Sequence, residues 1–422
     1  MKHFPDSHTG MNIKLKIDSM LDRLGLANSE IPLFAVNDSA ANAKKAIQLS
    51  EHLIQILCAI HKLQLCIEDV MKTRLLFAGV ASIVDLLTKT KGLAQYVKRS
   101  GPALNALKAA CKEEKVKFKT LKNPNETRWN SKHANLKSVL HVKKALVKLA
   151  EQDETNDWSS RMLSPAEWKL AEGVVKVLEL PLHVTKVWEA EVRPTMNLVI
   201  SELFTMTEKL KQIDNNMKNC RFTRDFARML RGKVLQSEPI KRFPMCGAEE
   251  EIYRYGNYLN PVFKGVHLEA LEALQKTKQE MVERWDEADD EEEGKEEDED
   301  EDPTTKLLNA RKKLAEKQKN SSKLRREMVT YEDMECLAPD GDRLEWWRHH
   351  KDLLPLLAKA AQEILAIPCS SSKSERIFSI GGQVSMQYRT DFTGFFIRFS
   401  TLRTCELLCY LSSPELDIKL SQ

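Results

Sequence analysis

The chain has 422 residues, 42% hydrophobic and 30% charged side chains, and a formal net charge of +3. That length accommodates two or three domains of roughly 100 to 200 residues, and the composition excludes a collagen-like or globally disordered protein. No apolar run approaches the ~18 residues that a membrane span requires, so no membrane partner is expected. The nine cysteines include no Cys-x-x-Cys pair and the first thirty residues carry no secretory signal. Free thiols in a reducing compartment are therefore expected, and a zinc finger closed by paired cysteines is not.

In chain order, Ile13, Ile17, Met20, Leu21 and Leu24 recur at helical spacing and predict a first helix. Ile31 to Val36 is a short apolar run that predicts a buried strand ending at Asn37-Asp38. From Ala40 to Val70 the apolar positions Ile47, Leu53, Ile54, Ile56, Leu57 and Ile60 read as one long helix. A strand between helices makes an α/β fragment. Between Lys89 and Lys148, sixteen Lys and Arg face only Glu113, Glu114 and Glu126. Such a region can neutralise several phosphates, which points to nucleic acid, unless it is only a solvated helical face.

From about residue 150 the pattern becomes mainly α. Ser164-Pro165-Ala166-Glu167 reads as a capping box with proline at the first helical position, and Leu163 and Trp168 as a hydrophobic staple. This helix is expected to run to Pro181, with another starting near Pro194-Thr195. Asp286 to Asp302 holds fourteen acidic residues and one lysine, too charged to fold, and reads first as a spacer. A Lys-rich run follows, and order is expected to resume near Tyr331. Then come Glu345-Trp346-Trp347, a helical run from Leu353 to Leu365, a stop at Ile367-Pro368, and a serine cluster that opens a further helix.

Several short motifs, in this order, resemble the hAT superfamily (hobo/Activator-type) of transposases and the proteins derived from them. They are Asn37-Asp38-Ser39-Ala40-Ala41-Asn42; Cys58-Ala59-Ile60-His61; Thr127-Arg128-Trp129-Asn130-Ser131; Asn260-Pro261-Val262-Phe263-Lys264; and a C-terminal block. The block runs through Leu344-Glu345-Trp346-Trp347, Leu354-Pro355-Leu356-Leu357, Ile367-Pro368-Cys369-Ser370-Ser371 and Ser374-Glu375-Arg376-Ile377-Phe378-Ser379. The resemblance implies an α/β plus mainly α fold, an incomplete ribonuclease H-like core interrupted by a helical insertion domain. Expected bounds are 1–149 for the partial core, 150–285 for the insertion, 286–330 for a linker, and 331–422 for the hAT dimerisation region that completes the core.

In that family three carboxylates bind two divalent metals that activate water and then a DNA 3′-hydroxyl. The resemblance places Asp38 and Glu375 at two of these positions, and Trp129 at a tryptophan that stacks on a flipped base. Read without it, Asp38 caps the following helix, Glu375 closes a capping box with Ser372, and Cys58 and His61 are core residues. No residue matches the first Asp, because only 37 residues precede Asp38, and no BED-type finger is present. A Mg or Mn centre is therefore expected to be incomplete, with no cofactor. Residues Thr390 to Ser400 also depart from the family's Leu-rich continuation.

The expectation is a transposase-derived nuclear protein without transposition activity. It self-associates as a homodimer or higher oligomer through Trp346, Trp347, Leu356, Leu357 and Phe378. It binds DNA weakly through Arg128, Trp129, Lys117, Lys119, Lys122 and Lys132. The alternative is an active transposase whose missing N-terminal exon supplies the first Asp and the finger.

Overall fold

The structure is a computed structural model that describes residues 9–26, 32–38, 40–51, 53–72, 83–124, 129–190, 193–235, 243, 250–286 and 322–372, and the backbone of 398–399. Helix α1 (Gly10–Arg23) is capped by Thr9, whose side chain accepts from Asn12 N. Strand β1 (Leu33–Asn37) follows, then α2 (Ala41–Gln48), strand β2 (Leu53–Leu57) and α3 (Ala59–Lys72). The expected single helix over 40–70 is thus two helices with a strand between them. The run Leu-Ile-Gln-Ile-Leu is short enough for either structure, and pairing along β1 decides it. The strands are parallel, with Leu33 opposite Leu53 and Asn37 opposite Leu57. A two-residue strand, β3 (Arg398–Phe399), runs antiparallel on the other edge of β1.

Both faces of this sheet are covered, which is why β1 reads as an unbroken apolar run. Its side chains alternate between two cores. Leu33 joins Ile13, Ile17, Leu21 and Ala46 under α1 and α2. Phe34 and Val36, with Ile56, face the large core that α3 enters through Leu63, Cys66, Ile67 and Val70.

Beyond β2 the regular elements of the described residues are helices apart from β3. Helices α4 (Ile83–Arg99), α5 (Gly101–Glu113), α6 (Trp129–His141) and α7 (Lys143–Glu151) precede α8 (Pro165–Trp188). The capping box at Ser164 and Glu167 is present as expected. Leu163 and Trp168 are both buried. The expected stop at Pro181 is overturned: α8 passes through it for another two turns. A proline forfeits one backbone bond rather than forbidding a helix, and here burial on both sides outweighs that loss. Helices α9 (Val199–Asn215), α10 (Arg221–Leu235), α11 (Glu251–Tyr258), α12 (Val266–Ala270) and α13 (Leu274–Trp285) complete this part.

The C-terminal part contributes α14 (Lys323–Asp333), α15 (Arg343–His350) and α16 (Pro355–Leu365). They dock on α11 and the turn after it. Trp347 Nε1 donates to Leu259 O at 2.9 Å and Tyr331 OH to Tyr258 O at 3.0 Å. Lys264, buried and with its pKa lowered by that burial, donates through Nζ to Tyr331 O at 2.6 Å and also to Met334 O. Asn260-Pro261-Val262-Phe263-Lys264 is therefore the socket for α14. Gly265 in that socket has φ +82°, and a Cβ there would lie 2.9 Å from Leu274, so glycine is required.

Candidate carboxylate corner and nucleic-acid interface

The carboxyl end of β1 is a hydrogen-bonded corner. Asn37 is buried; its carbonyl accepts from Cys58 N at 2.8 Å and its Oδ1 from Gln55 Nε2 at 3.0 Å. Asp38 comes next, exposed to solvent, and its Oδ1 accepts from Ala40 N at 3.0 Å. This is a turn made two residues ahead, not the N-cap of α2, because that cap is Ala40 and has no side-chain bond. Asp38 thus stands exposed just beyond a strand end.

The sequence-distant segment leading to Glu375 arrives at the same corner. Ala59 N donates to Cys369 O at 2.8 Å, and Ser371 N to Cys58 Sγ at 3.4 Å. Cys369 N donates to Thr195 Oγ1 at 3.0 Å and Ser370 Oγ to Trp188 O at 3.1 Å. Burial raises the Cys369 thiol pKa well above its ordinary value. Cys58 is buried and His61 half-buried on the face of α3. Glu375, Phe378 and Arg128 lie outside the described residues, as does the helix expected after the serine cluster. Among the described residues no group of three His, Cys, Asp or Glu side chains is placed to hold a metal.

The basic stretch wraps α4 to α7 and divides into two sets. Lys89, Lys143 and Lys137 pair with Glu167, Glu172 and Glu179 along α8 at 2.7 to 2.9 Å, and Lys148 lies 2.7 Å from Glu113. These charges are spent on holding the helices together. The other set faces solvent. Residues 116 to 122 form an extended segment pinned on α6: Asn135 Nδ2 donates to Lys122 O at 2.7 Å, Lys122 N to Ser138 Oγ at 3.0 Å, and His141 Nε2 lies 2.8 Å from Lys117 O. Lys117, Lys119 and Lys122 are exposed while Leu121 is buried, so the segment presents its ammonium groups from a fixed backbone. Lys98, Arg99 and Lys112 are also exposed, in the last turns of α4 and α5, where helix carbonyls favour positive charge.

Trp129 opens α6 and is only 3% exposed. Its indole belongs to the large core, and a base could stack on it only by displacing what covers it. Lys132, one turn later, is half-buried and lines a cavity of about 250 Å³ between α3, α4 and α6. Met71, Val84 and Leu87 supply its apolar surface and Lys72 and Lys91 join Lys132 at it. Sequence reasoning missed this convergence, since Lys72 and Lys91 lie on different helices and no local spacing links them to Lys132. The anchoring role of Asn37, Gln55 and Asn135 was also missed, being visible only once their partners are placed.

Of the expected dimerisation side chains, Trp347, Leu356 and Leu357 are 1%, 4% and 0% exposed within this single chain. Trp346 is half-buried, against Tyr331 and Trp347. The N-terminus of α16 is closed by Glu327, whose carboxylate accepts from Leu356 N at 3.2 Å and Leu357 N at 2.9 Å. Burial pushes the Glu327 carboxyl above the usual range.

Two family models match. Residues 327–393 match the hAT family C-terminal dimerisation region, and residues 56–177 match the ZBED1 RNase-like helical domain. Over 409 residues the chain is 24% identical to a putative AC transposase of Zea mays, and over 422 residues 23% identical to a putative AC9 transposase of the same plant. Each comparison covers 90% of this chain but 48% and 49% of the relative. The chain spans about half the length of the curated relatives it matches.

Proposed function

We propose that this hAT transposase-like chain is a nuclear protein that self-associates through its C-terminal hAT region and binds DNA weakly, without transposition activity. The observation that carries the reading is the match of residues 327–393 to a dimerisation region. DNA binding is supported by the outward ammonium groups of Lys117, Lys119 and Lys122 on a backbone held by Asn135 and Ser138. Phosphate contacts of this kind position a duplex without reading its sequence.

The β1–α2–β2 unit is, in this proposal, part of a ribonuclease H-like core. Inactivity is supported by the donor set. A two-metal centre needs bridging anions on both ions, and within residues 1–422 the resemblance matches two carboxylates, Asp38 and Glu375, to that set. Where the site is complete, metal ions would activate the attacking oxygen, and Asp38 would offer one side of such a site. The second reading, an active transposase with the third carboxylate on a part absent from this chain, is favoured by the bonds of Cys369 and Ser371 at the Asp38 corner.

The test is incubation of the chain with hairpin and nicked DNA ends in magnesium or manganese, beside an Asp38→Asn, Glu375→Gln double variant. The inactive reading expects no cleavage by either protein. Metal-dependent cleavage by the wild type that the double variant lacks would establish the active one.

A further inference from the structure

Much of the apolar surface described between 327 and 372 is used inside its own chain. Trp347, Leu356, Leu357 and Ile364 are at most 4% exposed, so a second copy has to be met by other side chains. Leu353 is 58% exposed. Trp346 is half-buried and stacks on His350, ring centroids 4.0 Å apart and 22° from parallel. His350 O then accepts from Leu353 N at 3.1 Å and Leu354 N at 2.9 Å, which continues the turn of α15 into the segment that carries Leu353. Positions 346, 350 and 353 are spaced by four and three, so they succeed one another along one side of this turn. Exposed Lys351 and Asp352 sit beside Leu353, and neither makes an ion pair with the described residues.

We infer that Trp346, His350 and Leu353 form the centre of the contact with a second copy of this chain, with Lys351 of each copy facing Asp352 of the other. The inference rests on the self-association proposed above and deepens it. A second copy is the occupant for two reasons. The stripe lies within the matched dimerisation region. Adjacent opposite charges without an ion-pair partner among the described residues also satisfy each other across a two-fold axis, where residue i meets j and j meets i. A tryptophan held by neighbouring aromatic rings and flanked by exposed charges is a common composition of an interface hot spot.

The experiment is sedimentation equilibrium of the full chain and of three variants at exposed positions: Lys351→Glu, Asp352→Lys and Leu353→Asp. Circular dichroism melts should match the wild type, since none of these side chains is in the core. Each charge reversal is expected to raise the dimer Kd about tenfold, because like charges then meet twice across the axis. Leu353→Asp is expected to raise it at least as much. An equimolar mixture of Lys351→Glu and Asp352→Lys should regain a Kd near that of the wild type, since the reversed charges complement each other only in the mixed dimer. A dimeric wild type whose Kd none of the variants changes, or a mixture no tighter than its components, overturns this inference and leaves self-association standing. A monomeric wild type overturns both.

Discussion

The amide of Ala59 and the carbonyl of Cys369 are joined by a 2.8 Å hydrogen bond, although helices α4 to α16 lie between them in sequence. This contact fixes the segment around Cys369 to the end of β2, beside β1, whose last residue Asn37 precedes Asp38. Ser371, whose N–H donates to Cys58 Sγ at 3.4 Å, lies at the same corner.

Thr195 is the lever for testing that attachment, because its Oγ1 accepts from Cys369 N in a buried position. Thr195→Val keeps the shape and leaves that amide without its partner, which costs about 1 to 3 kcal/mol. Hydrogen exchange at residues 366–372 should accelerate, and the urea midpoint should fall. Unchanged protection of this segment would mean that the bond does not hold the tail.

Glu327 joins α14 to α16 by accepting two amides at the first turn of α16. Glu327→Ala orphans both and is expected to cost about 2 to 3 kcal/mol. Glu327→Gln retains an oxygen acceptor and removes a charge that burial disfavours, so its loss should be clearly smaller. Equal midpoints for the two variants in chemical denaturation would contradict the assignment.

Asp153 gives a pH dependence with a definite sign. Its carboxylate accepts from Ser159 N, Trp158 N and the hydroxyls of Thr155 and Ser159, and these bonds hold its pKa well below the ordinary range. A depressed pKa contributes stability above the unfolded value, about 3.9, that is lost as the pH falls toward the folded value. Asp153→Ala should therefore lower the Tm at pH 7, and the gap to the wild type should narrow below pH 4. A gap constant from pH 7 to pH 2.5 would show that the carboxylate's charge is not the source.

For DNA, the exposed lysines predict a salt dependence. Fluorescence anisotropy with a short duplex should give affinity falling steeply with added salt. Replacing Lys117, Lys119 and Lys122 by glutamine should reduce the log–log slope by about one per lost phosphate contact. The same change at Lys89, Lys137 and Lys143, which pair with α8, should leave the slope nearly unchanged. Equal effects of the two sets would remove the 116–122 segment as the interface.

What was legible in the sequence was local. The first helix, β1 and the capping box of α8 follow from spacing and capping chemistry within a dozen residues. The second strand was not legible, since Leu53 to Leu57 satisfies helical spacing as well as extended structure and only its pairing with β1 separates them. Pro181 misled for a related reason: a helix interior supported by burial tolerates what an isolated helix does not. The dimerisation side chains show the same limit. Trp347 and Leu357 are apolar in either setting, and only the placement of α11 reveals that the chain's own core claims them. Lys264 reads as an ordinary charge until Tyr331 is placed against it.

Sedimentation velocity of the full chain at micromolar concentration, with and without duplex DNA, tests the proposed function most directly. The account predicts a dimer or higher oligomer without DNA, and a further shift with DNA that disappears as salt is raised. A single monomeric species that does not change with protein concentration or with DNA would contradict it.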